Sequence, residues 1–251
     1  MNEYQRNTGM VICILAVLIG GAVVVGVLTY LGPSYWGWGP TETVYYSFEE
    51  NVGSTTGIVT LDIDLTGGTV NLEFDENATL LYRIDLATSN QTVQQEGAPS
   101  VSFTANRIAL DYPAGAVNIT LGSGVAYKLD IMTTGGTIIS VLTSGANVSD
   151  ISLQTTGGTI DFSMTNEVSV VGSPDFAFET VAGTIEVDIS LPDGVEGSVQ
   201  GTAGWGTVSI DAPGWTAEGT NYYESPDYDL ATQVVTITAV ADTGTVDIEV
   251  L

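Results

Sequence analysis

The sequence contains no histidine, one cysteine and four basic residues in 251. Each shortage excludes something. Without histidine the usual general base near neutral pH is missing, and no G-x-S-x-G elbow or Walker loop offers another catalytic signature. The lone Cys13 cannot close an intramolecular disulfide and lies inside an apolar run, so cysteine says nothing about redox compartment. Four Lys and Arg residues cannot supply the cationic footprint that phosphate binding needs, which excludes nucleic acid as a partner. Acid pairs of the kind a glycosidase uses occur at Asp62/Asp64 and Asp227/Asp229. Only Arg83, Arg107 and Lys128 stand beside them as basic residues, too few to line a cleft for acidic sugars. No enzyme, no cofactor and no complete EF-hand or Ca²⁺-binding β-roll is expected.

Acid, glycine and β-branched residues are plentiful. Thirty Asp and Glu give a net charge of −26, and 30 glycines accompany a hydrophobic content of 44%. Abundant Val, Ile and Thr with that much Gly favour strands and tight turns, and the length suffices to bury one sizeable β domain.

The N-terminal region reads differently. Residues 1–9 are short and polar, and 10–31 run MVICILAVLIGGAVVVGVLTYL without a charge. As a helix that run measures roughly 33 Å, enough to cross a bilayer. It exits through Tyr30, Tyr35, Trp36 and Trp38, suited to an interfacial aromatic belt, so an uncleaved signal anchor is expected rather than a removed leader. Arg6 marks the cytoplasmic side, which puts residues 1–9 inside and the acidic bulk outside the plasma membrane. Ala16/Gly20 and Ala22/Gly26 have the small-xxx-small spacing through which two such helices can pack, although these residues are common in any membrane helix. Residues 32–42 form a Pro-containing linker, and the external β domain is expected over 43–251.

That domain keeps returning to one motif. It reads LTGGTV at 65–70, TTGGTI at 133–138 and 155–160, TVAGTI at 180–185, AGWGTV at 203–208 and ADTGTV at 241–246. Aligned on Gly68, Gly136, Gly158, Gly183, Gly206 and Gly244, apolar residues recur two apart on both sides, as in Leu61, Ile63, Val70 and Leu72. Each copy is therefore a strand, a glycine corner and a second strand, and a unit this small must stack on its neighbours to bury its apolar face. The glycines are spaced 68, 22, 25, 23 and 38 residues apart, so the middle copies fit a regular coil and the first gap leaves room for two or three further strands. The expected fold is an all-β, stacked-repeat, β-solenoid-like ectodomain behind one transmembrane helix; a β-sandwich of similar hairpins is the alternative. Between repeats, 88–100 reads as an exposed hairpin loop and Pro113–Gly115 as a turn.

Outward positions on the second arms include Asp161, Glu186, Asp188, Asp247 and Glu249. Stacked at about 4.8 Å they form a carboxylate ladder, in which neighbours repel by roughly 1 kcal/mol in water and several-fold more at a protein surface. They are the weak metal candidates; a solvated acidic face that attracts non-specific cations is the plain reading. Ile139 and Val141 interrupt the ladder, as if another segment packed there. Residues 212–228 break the period and carry Trp215, Tyr222, Tyr223 and Tyr228. These are candidates for gripping a surface glycan or a protein ligand, or for capping an exposed sheet edge. Glycosylation sequons stand at Asn77, Asn90, Asn118 and Asn147.

LDIMTTGGTI at 129–138, LQTTGGTI at 153–160 and FETVAGTIEVDI at 178–189 resemble the putative adhesin family of short-repeat β-solenoid domains, related to the toast-rack domains of prokaryotic envelope proteins. The resemblance implies surface localisation and no catalytic residues. The expected role is adhesion or envelope structure, in a cell whose salt or acidity suits an acidic, archaeal-like surface glycoprotein. A pilin-like filament subunit and an envelope sensor or partner-binding module are the alternatives.

Overall fold

The computed structural model describes residues 42–251; the expected anchor at 10–31 and most of its linker lie outside the described residues. Among the described residues no helix is long and apolar enough to cross a membrane. The described residues form thirteen strands in one mixed, open sheet. Seven are long: β2 (Ile58–Asp75), β5 (Arg107–Gly122), β6 (Ala126–Leu142), β7 (Asn147–Met164), β9 (Asp175–Ile189), β10 (Glu196–Asp211) and β13 (Val234–Val250). They lie side by side in the order β5-β2-β6-β7-β9-β13-β10, every neighbour parallel. The repeats thus stack out of sequence order. The first copy, on β2, sits inside the later β5, and the last copy, on β13, sits inside the earlier β10.

Each long strand passes through the glycine motif at its middle, and the motifs pair in register. Gly68 pairs with Gly115 and Gly136, Gly136 with Gly158, Gly158 with Gly183, Gly183 with Gly244 and Gly244 with Gly206. The reason is steric. A Cβ on Gly136 would lie 1.8 Å from the carbonyl oxygen of Gly68, and the same oxygen blockade recurs at every copy from Gly68 to Gly206. The φ angle at Gly136 is +151°, which L side chains rarely adopt. Glycine therefore serves both the corner and the close approach of the next strand.

The corner also switches burial parity. On β2 the buried residues are Val59, Leu61, Ile63 and Leu65 before the glycine and Val70 and Leu72 after it. The ladder skips one residue per strand, Thr66 against Thr134 for example, so both arms turn their apolar side inward. The core lies between the arms. Phe162, on the second arm of β7, packs 4.9 Å from Phe178 on the first arm of β9, centroid to centroid. Phe74 meets Tyr127 edge-on at 5.8 Å in the same way, and the Tyr127 hydroxyl donates to the Leu81 carbonyl at 2.6 Å.

The remaining elements close the ends. Antiparallel β1 (Thr43–Asn51) and β3 (Leu80–Ser89) extend the sheet beyond β5, while β4 (Ser102–Thr104) pairs with the first arm of β5. At the other end β12 (Tyr222–Glu224) pairs with β10 and β11 (Thr216–Gly219) with β12. A two-residue β8 (Ser169–Val170) adds to β7. Two expectations change. Residues 88–100 do not form a plain loop: Asn90–Glu96 is a helix, α1, started by Ser89 Oγ accepting from the Thr92 N–H and stopped at Gly97 with φ +89°. Pro113–Gly115 is not a turn between strands but a seventh corner, with Gly115 beside Gly68.

Candidate functional site

Two surfaces gather the residues singled out in the sequence. The first is the outward side of the second arms. Asp161 pairs with Glu186 and Glu186 with Asp247, while Asp188 pairs with Glu249 and Glu249 with Asp211. These are two parallel columns of exposed carboxylates across four strands. Alongside runs a threonine column, Thr69–Thr137–Thr159–Thr184–Thr245–Thr207, each residue following its corner glycine. Among the described residues no group of three His, Cys, Asp or Glu is arranged to hold a metal ion. Asp161, Glu186, Asp188, Asp247 and Glu249 thus share a flat acidic face rather than a cage. No described segment covers the interruption in this face, since Val141 is 41% exposed.

The three described basic side chains are engaged with aspartates: Arg83 with Asp85 at 3.8 Å, Lys128 with Asp150 at 3.0 Å, and Arg107 with Asp62. No described cation remains to bind an anion. Asp62 and Asp64 stand on the outer side of one strand, not across a cleft, so they do not make an acid–base pair around a substrate. Asp64 has its carboxyl raised above the ordinary 3.8, first by desolvation and then by the negative charge of Asp111 and Asp62.

The second surface is the 212–228 insertion. Its aromatic residues do not form an open platform. Trp215 and Tyr223 pack against the core, and a Cβ on Gly197 would meet the Trp215 ring at 3.0 Å. Ser225 fixes the segment in both directions: its Oγ accepts from the Gly197 N–H at 2.9 Å, and its own N–H donates to the Gly197 carbonyl at 2.9 Å. Tyr222 donates to Glu224, and this hydrogen bond, with burial, raises its phenol to about 12. Tyr228 begins a short 3₁₀ turn, Tyr228–Leu230. The insertion adds strands to the β10 edge.

Two exposed aromatic rings, at opposite ends of the sheet, escaped the sequence reading. Trp205, at the β10 corner, is 81% exposed, and Tyr45 on β1 is 78% exposed. Trp205 replaces the small residues that precede the corner glycine elsewhere, Gly67, Gly135, Gly157 and Ala182, and that substitution in AGWGTV was the available signal. Two open clefts accompany the outer surface. One, about 150 Å³, runs over Met132, Gln154, Glu179 and Val181; the other, about 270 Å³, lies between Tyr45, Asp85 and Asn118. Both fall short of the roughly 300–1,000 Å³ typical of small-molecule sites.

No protein-family model matches the chain, and no curated protein matches it. Among solved structures it is similar to a "putative cell adhesion protein from Clostridium sporogenes ATCC 15579", with a TM-score of 0.66 and 14% identity over 84% of this chain and 100% of that one. That likeness establishes the fold. Adhesins described with the same qualifier from Bacteroides fragilis (TM-score 0.30, 9% identity, 84% and 97% covered) and Parabacteroides distasonis (0.26, 7%, 83% and 98%) align more loosely and add nothing to the inference.

Proposed function

We propose that this is a non-enzymatic surface protein of the toast-rack, β-solenoid type, anchored in the plasma membrane by residues 10–31 and displaying 43–251 outside for adhesion or envelope structure. The observation that carries this reading is the in-register stack itself. Seven parallel corners stack in register, and the outward side of four of the strands carries two carboxylate columns, with no metal cluster among the described residues. Such a face offers repeated, evenly spaced contacts to a surface protein or glycan, and the fold shared with the clostridial adhesion protein is consistent with that use. Salt or low pH relieves the like-charge repulsion along the columns, which suits an exterior rich in cations.

Protease shaving of intact cells, with mass spectrometry of released and retained peptides, tests the placement. Peptides from 43–251 should be released while 1–31 stays with the membrane. Protection of 43–251 until the cells are lysed would remove the outward anchor and the adhesion role together. N-terminal sequencing that found 1–9 removed would favour the pilin-like alternative.

A further inference from the structure

The four sequons sit in unlike surroundings. Asn118 lies mid-strand on β5, paired on both sides; its Oδ1 accepts from Asn71 Nδ2 at 2.8 Å. Its partner Thr120 is only 7% exposed, and the Thr120 hydroxyl is taken by Glu73 at 3.2 Å and Arg83 at 3.4 Å. Asn147 begins β7 with its Oδ1 buried and without a partner, and the Ser149 hydroxyl is buried against the Tyr127 carbonyl at 3.3 Å. Asn90 opens α1, and the Thr92 hydroxyl is held by Ser89 Oγ at 2.8 Å.

Asn77 alone occupies an exposed turn, between β2 and β3. Its N–H donates to Asp75 Oδ1 at 2.9 Å, and the Thr79 N–H and hydroxyl both donate to Asn77 Oδ1, at 3.0 and 2.8 Å. Among the described residues nothing hydrogen-bonds its Nδ2. The carboxamide and the hydroxyl two residues on, the two groups that define a sequon, are thus held together in an exposed turn whose backbone is anchored by Val52 N–H donating to the Thr79 carbonyl at 2.9 Å and Ser123 N–H to the Asn77 carbonyl at 3.3 Å.

We propose that Asn77 is the N-glycan acceptor of the folded protein, and that Asn90, Asn118 and Asn147 are closed by the fold. Occurrence in the cell rests on the outward placement above; the acceptor geometry does not. In the transfer, Asn77 Nδ2 attacks C1 of a lipid-diphosphate-linked sugar and an N–C1 bond forms. The C1–O bond breaks with its electron pair leaving on the lipid diphosphate, and one Nδ2 proton passes to the transferase's base.

The test uses the full chain in detergent with a single-subunit oligosaccharyltransferase and a lipid-linked oligosaccharide, read by intact mass and glycopeptide mapping. One glycan mass is expected, mapped to Asn77. N77Q and T79A should abolish it, T79S should keep it, and N147Q should leave it unchanged. Transfer to Asn90, Asn118 or Asn147 of the folded chain overturns the proposal. So does failure at Asn77 when the heat-unfolded chain is glycosylated in the same reaction. If transfer succeeds in vitro while Asn77 is bare in a native cell whose other surface proteins carry N-glycans, the outward placement fails and the acceptor geometry stands.

Discussion

At the β5 end of the stack both arms of the last long strand are covered: β4 pairs with residues 107–109 and β3 with 116–121. At the β10 end only the first arm is covered, where β12 pairs with residues 198–200; among the described residues, 203–211 pair with β13 alone. Burial follows the difference. Val117, Ile119 and Leu121 on the covered arm are completely buried, whereas Val208 and Ile210 on the open arm are half-exposed and Trp205 stands in solvent. The same repeat therefore makes a core layer or a surface layer according to what lies beyond it. The open arm guards its edge with a glycine-flanked corner and Asp211 rather than with a covering strand, one of the ways edge strands avoid uncontrolled pairing.

The largest effect expected from breaking this pattern is at the corner column. Gly136→Ala places a Cβ against the Gly68 carbonyl at 1.8 Å and a side chain at φ +151°. Backbone strain of about 1–3 kcal/mol and overpacking of about 1–3 kcal/mol together predict roughly 5 kcal/mol, a fall in Tm on the order of 10–20 °C. Gly115→Ala, at the covered end of the same column, meets the Ala87 carbonyl at 3.0 Å and the Leu86 side chain at 3.5 Å without a positive φ, and should cost less, about 1 kcal/mol. Thermal melts of the two variants check this; equal losses would mean the column does not hold the stack.

Next comes the core. Phe162→Ala removes a ring packed against Phe176 and Phe178 in the middle of the stack and should cost about 3–4 kcal/mol. Ile210→Ala, on the open arm, should cost about 1 kcal/mol, because its cavity is already half in water. Urea titrations read both. If Ile210→Ala costs as much as Phe162→Ala, the open arm is covered in solution.

The contrast between regular and irregular regions also separates what was legible in the sequence from what was not. The copies with Gly-Thr at the corner could be read because an adjacent carbonyl 1.7–1.8 Å from any Cβ demands glycine in all six, and at Gly68, Gly136, Gly158, Gly206 and Gly244 a positive φ demands it as well. Gly115 has no positive φ and its nearest carbonyl is 3.0 Å rather than 1.8 Å from a Cβ, so PAGAV departs from the motif far enough to look like a turn, and the seventh corner was hidden although further strands were expected there. Alternating apolar positions located the inner faces correctly, Leu61 and Ile63 before the corner and Val70 and Leu72 after it. They could not give the order of strands, since any copy's inner face fits any other's; placing β2 between β5 and β6 depends on chain connections that the motif does not encode. The helix at 90–96 was missed because its signal is a Ser89 cap and Gly97 stop around polar residues, without an apolar stripe. The aromatic insertion offered a binding loop or an edge cap by composition; β12 pairs with β10, and Trp215 and Tyr223 pack against the core, as a cap would. Trp205, the exposed ring, sat unremarked inside a repeat.

The smallest expected effect lies near the covered end, where charges crowd on first arms. Asp64 pairs across the ladder with Asp111, and Asp62 lies two residues before it on the same outer side. Its folded-state carboxyl is raised above 3.8, so the folded protein holds that proton more tightly than the unfolded chain does. Stability is therefore lost as pH rises from about the unfolded value through the raised one, and the full penalty is present at neutral pH. Asp64→Asn should make the protein slightly more stable at pH 7 and have little effect at pH 3, the reverse of what removing a paired carboxylate does. Asp62→Asn is the contrasting variant: it strips Arg107 of its partner, a loss of at most about 1 kcal/mol for an exposed pair, while also relieving the Asp62–Asp64 repulsion. Raising salt from about 0.1 to 1 M shortens the Debye length from about 10 to 3 Å, so the repulsive part of the Asp64 effect should shrink. The desolvation part, which is the larger, should survive. Melts of both variants at two pH values and two salt concentrations separate these contributions. An Asp64→Asn gain that vanished entirely in high salt would show that charge crowding, not burial, sets the penalty.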